Sequence, residues 1–456
     1  MTHRGRSQSG RFRTWAAGAA LLALTAAACG GGGTDEGAAG GTDAAGTDAA
    51  GIDAAGTEAA GTEAAGDVAA GEITVWIMQP GNEEVETVLT DAAEAFEAEH
   101  EGATVALEFV PWANAHDQFV TAIGGGQVPD LAEMGNTWTP EFAELGGLAT
   151  VDSEQSGDYI DSLVESGTVD GALYGYPWYA GARSLIYRTD IFDELGLEAP
   201  QTWDDLLAAG DTIAEETDVA PIHVAGDYYH MLAPMLWQAG GELATGEGDS
   251  WTAEVDSDAG VQAFAFYNEL WERGWSPDGA VTWNSVDVRD AFANGDAAMM
   301  VGGGWDLAAI LGTNPDLEGS VATTLLPEGP GGNRDTFAGG SHLVVFEESD
   351  AKELAGEFAE FLLEPEQITA FTEQIGFLPG TVSGVEASGA SGDELYETFA
   401  TQLVEHSRSY PPTAAWGAIE GDRVLPDTTQ LMMQGELDPE EAAAEVDARM
   451  DEAFSG

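Results

Sequence analysis

Three short runs in the first third of the chain decide the fold: ITVWI at 73–77, VALEFV at 105–110 and DLAEM at 130–134. Between these runs, apolar residues recur at helical spacing from Val85 to Phe96, and a second helical stretch spans Trp112 to Ile123. Strands that alternate with helices in this order predict a parallel sheet with crossover helices, which is an α/β fold.

The same alternation continues along the chain. Further strands are predicted at 184–187, 221–225, 297–301 and 342–346, and further helices from Thr202, over 259–273 and over 354–362. The folded body therefore extends from about residue 72 to residue 456, a length of 385 residues. A chain of this length favours two lobes over a single core.

The charge balance excludes one class of partner. The sequence has 82 acidic and 13 basic residues, a formal net charge of −69, and Lys352 is its one lysine. Nucleic-acid binding is excluded because nothing would offset phosphate repulsion. The acids are spread along the whole chain, which favours adaptation to high salt, where charges are screened. A cation-binding surface is the alternative.

The N-terminal segment indicates export. Arg4, Arg6, Arg11 and Arg13 precede an apolar run over 15–28 that ends in small residues, and Cys29 follows as the one cysteine. This pattern resembles a bacterial lipoprotein signal (1–28), in which the cysteine is lipidated, although position 26 is Ala where that family most often has Leu. An ordinary signal peptide is the alternative. Residues 29–71, rich in Gly, Thr, Asp and Ala repeats, are predicted to be a disordered acidic linker.

Aromatic residues with amide or acid neighbours follow four of the predicted strands. They are Gln79 and Asn82, Asn136 and Trp138, Tyr228 and His230, and Trp305 and Asp306. Ligands of open α/β sheets bind beyond the carboxyl ends of the strands. Flat rings pack on the apolar face of a pyranose, while amides and carboxylates bind its hydroxyls, so the pattern predicts a neutral sugar ligand.

Catalytic and cofactor motifs are not found in the sequence. It contains no Gly-x-Ser-x-Gly or His-Glu-x-x-His pattern, His223 and His230 make only a weak metal pair, and Asp256 and Asp258 lack the rest of a calcium loop. We therefore predict no catalytic residue, metal or cofactor. A secreted carbohydrate-active enzyme and a surface scaffold or adhesin remain alternatives. Acid pairs arise by chance among so many acids, so their presence does not favour an enzyme.

Taken in order, several segments resemble extracellular solute-binding proteins of sugar ABC importers, the maltose-binding-like type. The segments are ITVWI at 73–77, GALYGYPWY at 171–179, SLIYRTD at 184–190, TWDDL at 202–206, GG at 240–241, AMMVGGGW at 298–305 and AGEF at 355–358. Segments 109–117 and 135–142 resemble members associated with chito-oligosaccharides.

The resemblance implies a type II periplasmic-binding-protein fold of two lobes with a ligand cleft between them. Lobe 1 would comprise 72–180 plus 336–385, and lobe 2 would comprise 181–335 plus 386–456. It also implies a lipid-anchored monomer at the outer face of the cytoplasmic membrane, with ABC importer permease subunits as partners.

The resemblance assigns ligand contacts to residues of both lobes. They are Asn82, Asn136, Trp138, Tyr179, Tyr228, His230, Trp305, Asp306 and Trp416. Each has a structural alternative. Trp305 would otherwise plug the turn at Gly302–Gly304, Trp138 and Tyr179 would pack the core or hinge, Asn82 would cap a helix, and Trp416 would pack its own helix.

Overall fold

The computed structural model describes residues 71–80, 82–152, 157–248 and 250–456. The predicted signal peptide, the lipidated Cys29 and nearly all of the linker lie outside the described residues. The linker prediction is one residue too long, because the first strand already begins at Gly71 and pairs with Ala103.

The strands within the described residues alternate with helices as the sequence predicts. They are β1 Gly71–Met78, β2 Ala103–Val110, β3 Leu131–Gly135, β4 Thr168–Val169, β5 Ala172–Leu173, β6 Tyr176–Gly181, β7 Ser184–Arg188, β8 Ala220–Ile222, β9 Ala244–Glu247, β10 Ser250–Ala253, β11 Ala297–Gly302, β12 Val321–Thr324, β13 Thr336–Phe337, β14 Gly339–Val345, β15 Leu378–Pro379 and β16 Ser407–Arg408. The strand predicted at 221–225 is shorter than expected, since β8 ends at Ile222.

The α-helices of the described part are α1 Glu83–Glu99, α2 Trp112–Gly125, α3 Thr139–Glu144, α4 Asp161–Ser166, α5 Thr189–Leu195, α6 Trp203–Glu216, α7 Tyr229–Gln238, α8 Asp258–Glu272, α9 Ser285–Ala293, α10 Gly304–Thr313, α11 Lys352–Leu362, α12 Pro365–Ile375, α13 Val382–Ala387, α14 Glu397–Glu405, α15 Ala415–Gly421, α16 Val424–Met433 and α17 Pro439–Phe454. Short 3₁₀ helices occupy Asp278–Thr282, Pro315–Leu317 and Ala390–Gly392. None of the helices in these ranges is both long and apolar enough to cross a bilayer.

Local sequence signals explain where several helices begin and end. The predicted capping box at α6 is present: the Thr202 hydroxyl accepts from the Asp205 N–H, and the Asp205 carboxylate accepts from the Thr202 N–H. Helix α2 ends at Gly125, and the next residue, Gly126, has a φ of 62° that glycine adopts without strain.

Two sheets organise the body. The larger has the order β15-β6-β14-β3-β1-β2, and the smaller has the order β12-β7-β11-β8. The predicted parallel pairing holds for β1 with β2 and β3, and for β8 with β11. Strands β14 and β6 run antiparallel in the larger sheet, and β7 runs antiparallel to β11 and β12, so both sheets are mixed.

The chain passes between the sheets at defined places. Strand β6 ends at Gly181 in the larger sheet and β7 begins at Ser184 in the smaller one, so Ala182 and Arg183 form a crossing. The chain returns between β12 and β14. Separate apolar cores flank the larger sheet, and a further core surrounds the smaller sheet and helices α7, α8, α16 and α17. The crossing residues therefore lie where side chains from both sheets can meet.

Candidate functional site

A cavity of about 450 Å³ lies between the two sheets. The larger sheet contributes Met78, Glu133, Tyr179, Gly339, Gly340 and Ser341 to its wall, the β1–α1 loop and the start of α2 contribute Gln79, Pro80 and Trp112, and the chain around α12 contributes Phe371, Ile375 and Phe377. The other wall consists of Arg183, His230, Trp305 and Phe337. The volume is within the usual range for small-ligand sites.

Glu133 forms a buried polar cluster on the larger-sheet side of the cavity. Its Oε1 accepts a hydrogen bond of 2.5 Å from the Tyr179 hydroxyl and one of 2.9 Å from the Ser341 hydroxyl, and its Oε2 accepts from the Met78 N–H at 2.8 Å. Burial raises the pKa of Glu133 to about 7, although the hydrogen bonds oppose that shift. The pKa of Tyr179 is raised by burial and by the adjacent carboxylate, so this phenol remains a donor.

Arg183 supplies positive charge on the opposite wall. Its side chain is 8 % exposed, and its Nε–H donates to the Tyr228 hydroxyl at 3.2 Å. The guanidinium carbon lies 5.3 Å from the ring centroid of Trp305 and 5.7 Å from that of Tyr228, which are cation–π distances. Both rings thereby hold the guanidinium in place at the crossing between β6 and β7.

Trp305 presents a flat aromatic surface to the cavity. It is half-buried at the start of α10 and stacks on Phe377 with centroids 4.6 Å apart and planes 11° apart. A Cβ atom at Gly181 or Gly303 would lie 2.2 Å or 2.3 Å from the indole ring. Glycine is needed at both positions for Trp305 to lie where it does.

A second aromatic layer supports the cavity from behind His230. Phe337 stacks on Tyr410 at 4.0 Å, Tyr410 stacks on Trp416 at 4.6 Å, and His230 lies nearly parallel to Phe337 at 5.3 Å. The Nδ1 atom of His230 is 2.8 Å from the Tyr410 hydroxyl. Burial and then the Arg183 charge lower the pKa of His230 well below its usual value, so the imidazole is neutral near pH 7.

Besides Gln79, the structure brings three of the nine residues with predicted ligand contacts into the cavity wall. These are Tyr179, His230 and Trp305. Two others touch the wall from behind: the Tyr228 hydroxyl donates to Val301 O at 3.0 Å and accepts from Arg183, and Trp138 packs edge-on against Trp112 at 5.6 Å.

The remaining four are placed in supporting positions outside the wall. Asn136 is buried, and its Nδ2 donates to the carbonyl oxygen of Ala338, directly before β14, at 2.9 Å. Asp306 accepts from the Gly303 N–H and caps α10, Asn82 accepts from the Glu84 N–H and caps α1, and Trp416 is buried against Tyr410.

Sequence reasoning missed several residues of the wall, above all Glu133 and Arg183. Glu133 had a detectable signal, because it is the one acid inside the otherwise apolar run LAEM of a predicted strand. Arg183 is one of only 13 basic residues and lies between two segments predicted from the sequence. Phe371 and Phe377 had no signal that separates them from core aromatics, whereas Trp112 lies in segment 109–117, which resembles solute-binding proteins associated with chito-oligosaccharides.

The described part of the chain contains no group of three or more His, Cys, Asp or Glu side chains placed to hold a metal ion. The cavity wall instead combines stacked aromatic rings, a guanidinium, a carboxyl group and hydroxyls. Such a wall can bind an uncharged polar molecule through hydrogen bonds and ring contacts.

Comparison with known proteins gives a consistent result. The family model for the bacterial extracellular solute-binding protein matches residues 81–369. The diacetylchitobiose-binding protein DasA of Streptomyces coelicolor is 28% identical over 452 residues, covering 96% of this chain and 98% of that protein.

Solved structures agree with this match. The sugar-binding protein MalE of Xanthomonas citri superposes with a TM-score of 0.76 at 28% identity, covering 84% of this chain and 98% of that one. An ABC transporter solute-binding protein of Thermotoga lettingae, solved with α-D-tagatose bound, has a TM-score of 0.70 at 27% identity and covers 84% of this chain and 99% of that one. The predicted maltose-binding-like type II fold is thereby confirmed.

Proposed function

This chain belongs to the family of bacterial extracellular solute-binding proteins, and we propose that it captures a neutral sugar or oligosaccharide and delivers it to an ABC importer. The observation that carries the proposal is the cavity between the two sheets, with Trp305 stacked on Phe377 at one side and the Glu133 cluster at the other. A pyranose has an apolar face for the ring and hydroxyls for the polar groups. Chito-oligosaccharides are the first ligands to test, because DasA binds diacetylchitobiose by name.

Capture would proceed by closure of two lobes. We assign 72–180 plus 336–385 to lobe 1 and 181–335 plus 386–456 to lobe 2, with the crossing at Ala182 and Arg183 as one hinge. The cavity wall draws on both sheets, so a ligand that contacts both walls stabilises the closed arrangement over the open one. The Ala414 N–H donates to Glu144 Oε1 at 3.3 Å, which supports a contact between the two proposed lobes.

The location follows from the N-terminal sequence. We propose cleavage before Cys29, lipidation of that cysteine and a linker over 29–71 between the anchor and a monomeric body at the outer face of the membrane. The body would release its ligand to the permease subunits unchanged, without acting as an enzyme. The acidic excess of 82 over 13 residues would adapt this surface to high salt.

The test is calorimetry of the full chain against a panel of mono- and oligosaccharides in about 1 M sodium chloride, where surface charges are screened. We expect at least one neutral oligosaccharide to bind with a dissociation constant in the micromolar range or below and to be recovered intact. Release of shorter products would indicate an enzyme. Absence of binding to every saccharide would refute the proposal and favour a scaffold.

A further inference from the structure

Arg183 differs from the other basic side chains of the described residues. Seven of them form ion pairs with carboxylates: Arg188, Arg273, Arg289, Arg334, Lys352, Arg408 and Arg423. Arg449 donates to the backbone carbonyls of Asp422 and Val424. Arg183 lines the cavity, and no group within the described ranges accepts a hydrogen bond from its two terminal nitrogens.

An unpaired guanidinium is costly at this position. Arg183 is 8 % exposed, and burying a charge without acceptors for its N–H groups is unfavourable. The chain has 82 acids, yet none of those described forms an ion pair with Arg183. Its free donors lie on a cavity wall, which points to an acceptor atom on the bound molecule.

Glu133 has a free hydrogen-bond acceptor site that complements the free donors of Arg183. Its Oε1 already accepts two hydrogen bonds, from Tyr179 and Ser341, whereas its Oε2 accepts one, from the Met78 N–H. When Glu133 is ionised, above its pKa of about 7, each carboxylate oxygen accepts two hydrogen bonds, so Oε2 then retains one acceptor site. Glu133 is 2 % exposed and lines the same cavity as Arg183. The cavity therefore combines free donors, one free acceptor and the apolar surface of Phe371, Ile375 and Phe377.

We propose that Arg183 and Glu133 determine specificity by binding an acylamino substituent of the sugar. Arg183 donates to the amide carbonyl oxygen, Glu133 accepts the amide N–H, and the apolar surface receives the acyl methyl group. This inference rests on the proposed sugar-binding function. An acetamido group carries one strong acceptor, one donor and a methyl group together.

Two other substituents fit less well. A hydroxyl in the same place lacks the planar carbonyl acceptor that matches a guanidinium, and it has no methyl group for the aromatic surface. A carboxylate would pair with Arg183 but would add a second negative charge beside Glu133 and would enter a strongly acidic protein.

The experiment compares two disaccharides that differ at C2 of each ring. Dissociation constants are measured by calorimetry with the full chain in about 1 M sodium chloride for N,N′-diacetylchitobiose, which carries acetamido groups, and cellobiose, which carries hydroxyls. We expect the acetylated sugar to bind at least about tenfold more tightly, a difference that one hydrogen bond to a charged group can supply. Arg183→Met and Glu133→Gln should each reduce this ratio to within about threefold.

Matched variants separate specificity from stability. Arg188→Met removes an arginine five residues further along, outside the cavity, and should leave the ratio unchanged. Arg183→Lys keeps the positive charge but removes the planar guanidinium and its fixed donor geometry, and it should give an intermediate ratio of the two dissociation constants. Because both sugars are measured on each variant, a loss of stability that weakens binding in general does not change the ratio.

Three results would overturn the inference. The first is equal affinity of the unchanged protein for both sugars, and the second is a ratio that survives Arg183→Met. The third is tighter binding of a carboxylated disaccharide than of either, with the gain lost in Arg183→Met. In all three cases sugar binding itself stands. Failure of every saccharide to bind would instead refute the proposed function, and this inference with it.

Discussion

Replacing Trp305 with alanine tests the stacking surface of the cavity. The indole is half-buried, lies 4.6 Å from Phe377 and 5.3 Å from the Arg183 guanidinium, and faces the cavity. The substitution removes the ring on which a pyranose would stack and also releases Arg183 from one of its two aromatic contacts.

The expected loss of affinity can be worked from these contacts. A stacked ring contributes roughly 0.5–1.5 kcal/mol beyond area burial. Covering about 60 Å² of apolar surface adds about 1.5 kcal/mol at roughly 25 cal/mol per Å². The sum of about 2–3 kcal/mol corresponds to a dissociation constant raised about 30- to 150-fold.

The assay is calorimetry with the best ligand of the saccharide panel, together with thermal unfolding of each protein. The matched control is Trp271→Ala, since Trp271 is also half-buried but lies on α8, where its indole N–H donates to Met433 O at 2.7 Å. We expect both variants to lose stability and only Trp305→Ala to lose affinity. An affinity within about threefold of the unchanged protein would remove Trp305 from the binding surface.

Three further predictions concern pH, salt and the anchor. Burial raises the pKa of Glu133 from 4.5 to about 7, so between these pH values the folded state holds a proton that the unfolded state releases. The free energy of unfolding therefore decreases as pH rises from 4.5 to 7. The free energy of unfolding, measured by denaturant titration, should decrease across that window by roughly 3 kcal/mol more in the unchanged protein than in Glu133→Gln. Parallel curves for the two proteins would contradict the raised pKa of Glu133. The melting temperature should rise by several degrees between low and molar sodium chloride, because screening relieves repulsion among 82 acids, and a midpoint independent of salt would argue against adaptation to high salt. Cys29→Ser should move the protein from the membrane fraction to the medium, as judged by immunoblot, while leaving sugar affinity unchanged; retention at the membrane would refute lipid anchoring.

Much of the architecture could be predicted from local sequence. The β-branched run at 73–77 and the helical spacing after it form β1 and α1, and the Thr202 capping box begins α6 as expected. These features depend on neighbours within a few residues, so the sequence carries them directly. Strand direction depends on distant partners, which is why antiparallel β14 and β6 within a sheet of parallel β1, β2 and β3 were not predicted.

The candidate site was harder to predict, because its wall consists of residues far apart in the chain. Glu133 and Ser341 form a hydrogen bond although 208 positions separate them. Strand ends directed attention to Trp305 and His230, which line the cavity, but the same rule selected Asn82, which caps α1. A polar side chain after a strand can cap a helix as readily as it can bind a ligand, and the sequence alone does not separate these two roles.

If the two lobes close as proposed, the division of the wall between two sheets has an energetic consequence for ligand capture. Tyr179, Glu133 and Ser341 belong to the larger sheet, whereas Trp305 follows a strand of the smaller sheet and Arg183 lies at the crossing. A ligand shifts an open–closed equilibrium only through contacts that differ between the two states. A sugar held by the Glu133 cluster alone would bind without favouring closure, while contact with Trp305 and Arg183 adds free energy that only the closed state provides. Substitutions on the smaller-sheet side should therefore reduce both affinity and the fraction of closed protein at saturating ligand. Substitutions in the Glu133 cluster should reduce affinity more than the fraction of closed protein, because the larger-sheet contacts are available in either state.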